Sequence, residues 1–197
     1  MQVGPVQVVL ATHNAHKVDE LRRILGPALD GIELSGYDGP EPVEDGESFA
    51  ANALIKARAA ASHTGLPAIA DDSGICVDAL GGAPGIHSAR FAGTRNDTDN
   101  VALLLEKLRG ESDRSAHFEC AAAFVHGDLE HVEVGIWPGT VLEQPTGANG
   151  FGYDPVFAPA GLSVSSAELG PDEKNAISHR SRAFRQLVPV LRQHLVG

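Results

Sequence analysis

Two adjacent aspartates are the residues of this sequence best suited to chemistry. The segment Ala70-Asp71-Asp72-Ser73-Gly74 places both carboxylates at the end of an apolar run that predicts a strand. Two carboxylates in contact repel each other by roughly 1–4 kcal/mol, but a divalent cation reverses that sign, and Mg²⁺ favours carboxylates together with substrate phosphate oxygens. Neighbouring strand residues point to opposite faces, so the two aspartates are expected to have different roles. The alternative is a solvated turn closed by an Asx cap, which is common for Asp-Ser-Gly.

A polar turn at the start of the first predicted helix could bind phosphate. It consists of Thr12, His13, Asn14, Ala15, His16 and Lys17. Free N–H groups and the dipole at a helix N-terminus attract anions, and Lys17 adds a full positive charge. The chain contains neither GxxxxGK[ST] nor GxGxxG, so a Walker A loop and a dinucleotide fingerprint are excluded. The alternative is an ordinary capped helix with a surface lysine.

A glycine-rich loop could hold a nucleotide base. It contains Phe151, Gly152, Tyr153 and Asp154, with Gly150 just before them. An aromatic ring between two glycines can present its face as a stacking surface, worth about 1–3 kcal/mol per base. The alternative is a tight turn with Phe151 in the core.

The most basic stretch of the chain lies near the start of its last predicted helix. Its members include Lys174, His179 and Arg180. Basic residues at a helix N-terminus oppose the dipole, so these three are predicted to bind an anion or a carbonyl oxygen. The alternative is scattered surface charge.

Length, charge and cysteine content limit the kind of protein that can carry these residues. With 197 residues the chain is expected to form a single domain over 1–197. Its net charge of −11 argues against nucleic acid and anionic lipid as partners. No apolar run approaches the roughly 18 residues of a membrane span, and the N-terminus does not resemble a signal peptide, so we expect a cytoplasmic protein. Cys76 and Cys120 match neither a disulfide framework nor a metal-binding spacing.

The elements that must position these residues form an α/β pattern. The spacing predicts strands over 6–11, 66–70 and 116–124, and a hairpin turn at Gly127-Asp128 that joins the last of these to a strand over 129–137. It also predicts four helices. The first carries Val18, Leu21, Ile24 and Leu25 on one face, and the second spans 48–63. The third spans 100–108 and is capped by Asp97 or Thr98, and the fourth begins at Ser178. Because a hairpin interrupts the alternation, we predict a mixed, twisted sheet with flanking helices.

Six motifs occur along the chain in the order Ala11–Lys17, Phe49–Ala57, Ala70–Gly74, Gly81–Arg90, Gly150–Pro155 and Ser178–Arg180. In type and order they resemble the motifs of the inosine triphosphate pyrophosphatase family, the Ham1-type enzymes. The resemblance runs nearly from end to end. It implies hydrolysis of dITP, ITP and XTP to the monophosphate and pyrophosphate with Mg²⁺, as a house-cleaning activity on the nucleotide pool. It also implies two lobes around a central cleft, and a homodimer.

The resemblance also assigns expected roles. Asp72 resembles the catalytic acid/base and metal ligand of the family, with Asp71 beside it as a second catalytic residue, and Glu44 resembles the further metal ligand. Either Asp71 or Asp72 is expected to orient the attacking water. Thr12 to Lys17 resemble the triphosphate-binding turn. The remaining substrate-binding set comprises Ser73, Phe151, Gly152, Tyr153, Asp154, Lys174, His179 and Arg180. One position departs from the pattern, since Ala51 stands where the family often has Glu, and Glu47 is a candidate substitute.

Two other functions remain open at this point. One is an Mg²⁺-dependent pyrophosphatase acting on other modified nucleotides, as in the related Maf-type fold. The other is a non-catalytic nucleotide-binding protein, against which the intact Asp71-Asp72 pair argues. A substrate panel scored by pyrophosphate release separates all three.

Overall fold

A computed structural model describes residues 4–13 and 15–197, except for the side chains of Ala15 and His16. Within these ranges six strands form one sheet in the order β2-β1-β3-β4-β5-β6. β1 pairs in parallel with β2 and β3, and β5 pairs with β6 antiparallel. The predicted mixed sheet is therefore confirmed. The strands are β1 Val6–Leu10, β2 Ile32–Gly36, β3 Ala68–Val77, β4 Ser115–His126, β5 Leu129–Val141 and β6 Phe157–Pro159.

Helices flank this sheet, as predicted. They are α1 Ala15–Leu25, α2 Phe49–Thr64, α3 Asp97–Lys107, α4 Pro171–Ile177 and α5 His179–Leu195. At the start of α2, the Ser48 side chain accepts a hydrogen bond from the Ala51 amide; at its end, Gly65 takes a left-handed conformation with φ 68°. The predicted helix over 48–63 is thus confirmed to within one residue at each end. No helix among the described residues is long and apolar enough to cross a bilayer.

Three predicted details are wrong. The strand expected to end at Ala70 continues as β3 to Val77, so Asp71 and Asp72 lie inside a strand and not in a solvated turn. Hydrogen bonds and opposite charges offset the cost of burying both carboxylates there, so the chain can continue as a strand without exposing them to water. The cap of α3 is Asn96, whose side chain accepts from the Asp99 amide, and not Asp97 or Thr98. Finally, β2, β6 and α4 were not predicted.

The chain divides into two compact units, each with its own apolar core. The first unit takes in the chain through Asp72, together with Cys120–Gly135 and Arg180–Gly197; the second takes in Ser73–Glu119 and Ile136–His179. The core of the first packs the buried face of α1 and α5 against β1, β2 and the inner part of β4, including Leu21, Phe124, Phe184 and Leu187. The core of the second includes Leu104, Phe118, Trp137 and Phe157.

Candidate active site

The two adjacent aspartates of β3 face different surroundings, as their strand positions predict. Asp71 accepts hydrogen bonds from Nε and Nη2 of Arg180 at 3.2 and 3.0 Å, and Lys17 Nζ lies 3.9 Å from its other oxygen. Asp72 accepts from Asn52 Nδ2 at 3.2 Å and from Lys56 Nζ at 3.2 Å. One carboxylate is thus held by a guanidinium and the other by an amide and an ammonium.

These surroundings shift the pKa values of the two carboxyl groups in opposite directions. Burial by itself raises the pKa of Asp71, but the charges of Lys17, Arg180 and Lys56 outweigh it and hold that pKa well below its usual range. For Asp72, burial dominates and raises the pKa, and the nearby charge of Glu44 adds to the increase. Asp72 is therefore the member of the pair that takes up a proton more readily.

Glu44 and Asp72 converge on a single positive charge. Lys56 Nζ lies 2.9 Å from Glu44 Oε2 and 3.2 Å from Asp72 Oδ1. Among the described side chains, no group of three or more His, Cys, Asp or Glu residues could hold a metal ion. Two carboxylates that already share one cation are nevertheless the kind of partial oxygen donor set that Mg²⁺ completes with phosphate oxygens and water. The residues present therefore fit that metal.

A charged pocket of about 140 Å³ adjoins this pair in the first unit. Lys17, on the first turn of α1, contributes a positive charge there, and His13 Nε2 donates to the Gly39 carbonyl at 2.7 Å. Of the predicted phosphate-binding turn, Thr12, His13 and Lys17 line this pocket; Asn14 and the side chains of Ala15 and His16 lie outside the described residues. The full lining is Ala11, Thr12, His13, Lys17, Tyr37, Glu41, Pro42, Glu44, Lys56 and Asp71.

An aromatic pocket of about 130 Å³ lies within the second unit. Phe151 is 56% exposed at this pocket, so the alternative that placed its ring in the core is wrong. Lys174 Nζ lies 4.9 Å from the centre of the Phe151 ring. The lining is Ser73, Gly74, Ser88, Ala89, Asp97, Phe118, Phe151, Gly152, Tyr153, Asp154, Lys174 and His179. Every residue of the predicted substrate-binding set that lies after Asp72, except Arg180, therefore lines one pocket.

Asp154 organises the loop that carries Phe151. Its buried carboxylate accepts from the Phe151 amide at 2.8 Å and from the Ser166 hydroxyl at 2.8 Å, and it pairs with Lys174. Gly150 has φ +75°, and a Cβ there would overlap the Asp154 carboxylate, so this turn requires glycine. Asp97 fixes the next amide of the loop, accepting from Gly152 N–H at 2.7 Å.

His179 is part of the aromatic wall of this pocket. Its ring stacks on Phe118 with centroids 4.8 Å apart and an angle of 12°, and it lies 6.2 Å from the Trp137 ring. It is only 7% exposed, which rules out scattered surface charge as its explanation. Arg180 is buried in the first unit, where it pairs with Asp71 and Glu20. The structure does not bring Arg180 to the aromatic pocket, and its predicted contact with substrate stays a prediction.

Two residues of α2 that contact Asp72, Asn52 and Lys56, were not predicted as site residues from the sequence. Asn52 and Lys56 stand one helical turn apart and therefore share a face of the helix. That spacing, with a buried amide and a lysine inside an alanine-rich helix, was a signal that could have identified them. Glu47, the candidate substitute for the missing acid at Ala51, is exposed, and the acid of this loop that contacts Lys56 is Glu44.

Comparison with known proteins finds relatives that match this chain over most of its length. The model of the Ham1 family matches residues 8–190. The dITP/XTP pyrophosphatase of Leifsonia xyli subsp. xyli is 57% identical over 192 residues, covering 95% of this chain and 96% of that protein. The dITP/XTP pyrophosphatase of Streptomyces avermitilis is 53% identical over 197 residues, covering 96% and 98%.

Solved structures agree with these matches. A HAM1 protein from Coxiella burnetii superposes with a TM-score of 0.88 at 41% identity, covering 95% of this chain and 99% of that one. A nucleoside-triphosphatase, or dITP/XTP pyrophosphatase, from Mycobacterium abscessus gives a TM-score of 0.78 at 45% identity, covering 95% and 100%.

Proposed function

Because the chain belongs to the Ham1 family, we propose that it hydrolyses noncanonical purine nucleoside triphosphates, dITP, ITP and XTP, to the monophosphate and pyrophosphate. The observation that carries this proposal is that the carboxylates of Glu44 and Asp72 both contact the ammonium of Lys56, next to a pocket that is also lined by Lys17. An acidic chain needs such local positive charge to bind a polyanion. The activity would remove these nucleotides from the pool.

The triphosphate is assigned to the charged pocket of the first unit. Lys17 and the N–H groups at the start of α1 supply positive charge and hydrogen-bond donors for phosphate oxygens. Lys56 adds a second ammonium at the same pocket. Its pKa is raised, since nearby carboxylates including Asp72 outweigh the effect of burial, so it stays charged at neutral pH.

Mg²⁺ is the proposed cofactor, and Glu44 and Asp72 are its proposed protein ligands. When bound, such an ion neutralises charge that develops on phosphate oxygens. Asp72 is also the proposed proton acceptor for the attacking water, because the Asp71 carboxylate is already engaged by the guanidinium of Arg180 and the ammonium of Lys17. The water oxygen forms a bond to the α-phosphorus while the bond to the pyrophosphate oxygen breaks, and pyrophosphate leaves.

Base selection is assigned to the aromatic pocket of the second unit. Phe151 offers a ring face for stacking, and Lys174, His179 and backbone amides are candidate donors to the 6-oxo group of hypoxanthine and xanthine. Adenine carries a donor at that position and leaves such groups unsatisfied, which can cost a factor of up to about 10⁴–10⁵. Arg180, the residue after His179 in the sequence, remains a proposed substrate-binding residue.

The wider assignments of the sequence analysis are part of the same proposal. Residues 1–197 act as one catalytic domain, with the first unit handling phosphates and the second handling the base. Homodimer formation and a cytoplasmic location are proposed by resemblance to the family, and the free thiols of Cys76 and Cys120 fit a reducing compartment. Sedimentation equilibrium of the purified chain tests the dimer.

The decisive assay measures pyrophosphate release from ITP, XTP, GTP, ATP and dUTP, with and without Mg²⁺. We expect Mg²⁺-dependent turnover that strongly favours ITP and XTP. Preference for a modified pyrimidine would support the Maf-like alternative. Tight ITP binding without turnover would support a non-catalytic protein. Either result would overturn the proposed function.

A further inference from the structure

The buried amide of Asn52 joins the two segments that carry the proposed metal ligands. Asn52 is 4% exposed and lies in the first turn of α2. Its Oδ1 accepts from the Gly46 amide at 2.9 Å, and its Nδ2 donates to Asp72 Oδ2 at 3.2 Å. A backbone N–H can only donate and a carboxylate can only accept, so the two partners permit one orientation of the amide. The Glu44 loop and the Asp72 side chain are thereby tied to the same helix position.

Lys56, one turn further along α2, links the same two segments through charge. Its ammonium contacts Glu44 Oε2 and Asp72 Oδ1, whereas Asn52 contacts the neighbouring Gly46 amide and the other oxygen of Asp72. The two links differ in one respect. A divalent cation competes with an ammonium for the same carboxylates. The hydrogen bond from the Gly46 N–H to Asn52 Oδ1 involves no carboxylate, and the Asn52 amide contacts a different Asp72 oxygen from the one that Lys56 contacts. Replacing the Lys56 ammonium by a divalent cation at Glu44 Oε2 and Asp72 Oδ1 therefore leaves both Asn52 hydrogen bonds available.

Gly46 is packed so tightly against Asn52 that a side chain has no room there. A Cβ on Gly46 would lie 2.6 Å from Asn52 Oδ1 and 2.8 Å from the Ala51 Cβ. Such a contact forces the loop or the amide to move. A substitution at Gly46 therefore disturbs the contact between the loop and Asn52 while the residues of α2 and Asp72 themselves stay unchanged in sequence.

We propose that Asn52 is a positioning residue for the metal site: it orients the Asp72 carboxylate and holds the loop of Glu44 at the spacing that a divalent cation needs. This role rests on the proposed function, because it presupposes that Glu44 and Asp72 are the metal ligands. Groups that orient metal ligands in this way commonly change metal affinity or activity by about 10–100-fold when they are removed. Asn52 itself contacts neither the metal nor the substrate in this role.

The role can be tested without relying on turnover by measuring Mn²⁺ binding to the 197-residue chain. Electron paramagnetic resonance detects the Mn²⁺ that remains free. We expect N52A to weaken Mn²⁺ binding by about 10–100-fold. The matched control is N100A, since Asn100 is 1% exposed and its amide also accepts from one backbone N–H and donates to one backbone carbonyl. Asn100 contacts neither Glu44 nor Asp72, so N100A is expected to lose stability but keep its Mn²⁺ affinity.

A second pair of variants keeps the test informative if N52A fails to fold. G46A should weaken Mn²⁺ binding in the same direction, because its methyl group displaces the loop from Asn52. G36A is its control, since a Cβ there meets only ordinary contacts at 3.8 and 3.9 Å. In N52A and G46A, kcat for dITP should fall more than KM changes, because the disturbed groups serve the reacting centre and not the binding of the base.

The outcomes separate this role from the proposed function. If D72N weakens Mn²⁺ binding while folded N52A and G46A bind as tightly as their controls, the positioning role of Asn52 is wrong and the metal site stands. If the wild-type chain binds no Mn²⁺, or D72N binds it as tightly as wild type, the metal site itself is wrong and the role of Asn52 falls with it. Weaker binding in N52A, G46A and D72N, with both controls unchanged, supports the proposal.

Discussion

The two pockets of this protein are built from opposite kinds of side chain. In the charged pocket of the first unit, Lys17, Lys56 and carboxylates on separate segments balance one another. In the aromatic pocket of the second unit, rings form much of the wall, and the buried Asp154–Lys174 pair is neutral as a whole. Close charges that can be exchanged for a metal and a polyanion suit phosphate chemistry. Flat apolar surfaces with a few fixed donors suit selection among bases.

This contrast predicts that damage to each pocket changes a different kinetic quantity. Changes at Asp72 should lower turnover for every base alike, since the phosphates are common to all substrates. Changes at Phe151 should alter apparent affinity and leave the chemical step largely intact. A substitution at either residue that changed kcat and apparent affinity to the same extent would contradict the separate roles assigned to the two pockets.

The largest expected effect is that of Asp72→Asn. Loss of a general base costs about 10²–10⁴-fold in rate, and this substitution also removes a metal-ligand charge, so kcat for dITP should fall at least that far. Pyrophosphate release measures it. Asp128→Asn, at the exposed hairpin turn, is the control and should keep wild-type turnover. Near-wild-type kcat in folded Asp72→Asn protein would remove Asp72 from its proposed role.

Asp71→Asn should mainly cost stability. It removes the carboxylate charge that Nε and Nη2 of the buried Arg180 contact and leaves the partly exposed Glu20 as an ion-pair partner, and breaking one side of a buried pair costs about 3–5 kcal/mol. Guanidinium unfolding measures this loss. Glu130→Gln, which breaks the exposed pair with Arg58, should cost at most about 1 kcal/mol. Equal losses would contradict the importance assigned to the buried pair.

The same pair has a defined pH signature. Because the pKa of Asp71 is lowered in the folded state, its stabilisation is fully present above the unfolded carboxyl pKa of about 3.9 and is lost as the pH falls through the folded value. The difference in unfolding free energy between wild type and Asp71→Asn should therefore be constant above about pH 4 and shrink below it. A difference that grows on acidification would refute the sign of the shift.

Phe151→Ala should raise KM for dITP with little change in kcat. Loss of one stacking contact is worth about 1–3 kcal/mol, which corresponds to roughly 5- to 150-fold in KM. Phe91→Ala is a suitable control, because Phe91 also has a lysine ammonium over its ring but does not line the aromatic pocket. An unchanged KM in Phe151→Ala would mean that the exposed ring does not stack on the base.

Asp97→Ala should produce the smallest effect. It frees the Gly152 N–H and loosens the loop that carries Phe151, and the loss of one net hydrogen bond is worth about 0.5–1.5 kcal/mol. KM for dITP should therefore rise by roughly 2- to 12-fold. Asp99→Ala removes an acid from the same helical turn but touches Thr94 and not the loop, so steady-state kinetics should show no comparable change.

Local patterns predicted the elements whose signals lie within them. The apolar spacing of α1, the helix predicted over 48–63 and the hairpin at Gly127-Asp128 all depend on residues close in sequence. The continuation of β3 past Ala70 could not be predicted in this way, because the guanidinium that compensates Asp71 belongs to Arg180, far along the chain. Local sequence around Asp71 and Asp72 therefore predicted a strand that ends seven residues too early.

The candidate site shows the same limit. Residue types alone identified the aspartates, Lys17 and the loop of Phe151, and all of them line or adjoin the two pockets. The cap of α3 could not be chosen, since Asn96, Asp97 and Thr98 are all good capping residues. Arg180 is buried against Asp71 because of tertiary packing. Its position at the start of a helix does not predict that contact.

The most direct test of the division between the pockets is the ratio of kcat/KM for dITP to that for dATP, measured by pyrophosphate release in wild type and in Asp72→Asn. We expect wild type to favour dITP by up to about 10⁴–10⁵, and we expect Asp72→Asn to lower both rates while keeping the preference. Equal values for the two nucleotides in wild type would contradict base selection by the aromatic pocket, and a preference abolished by Asp72→Asn would contradict its separation from the chemistry.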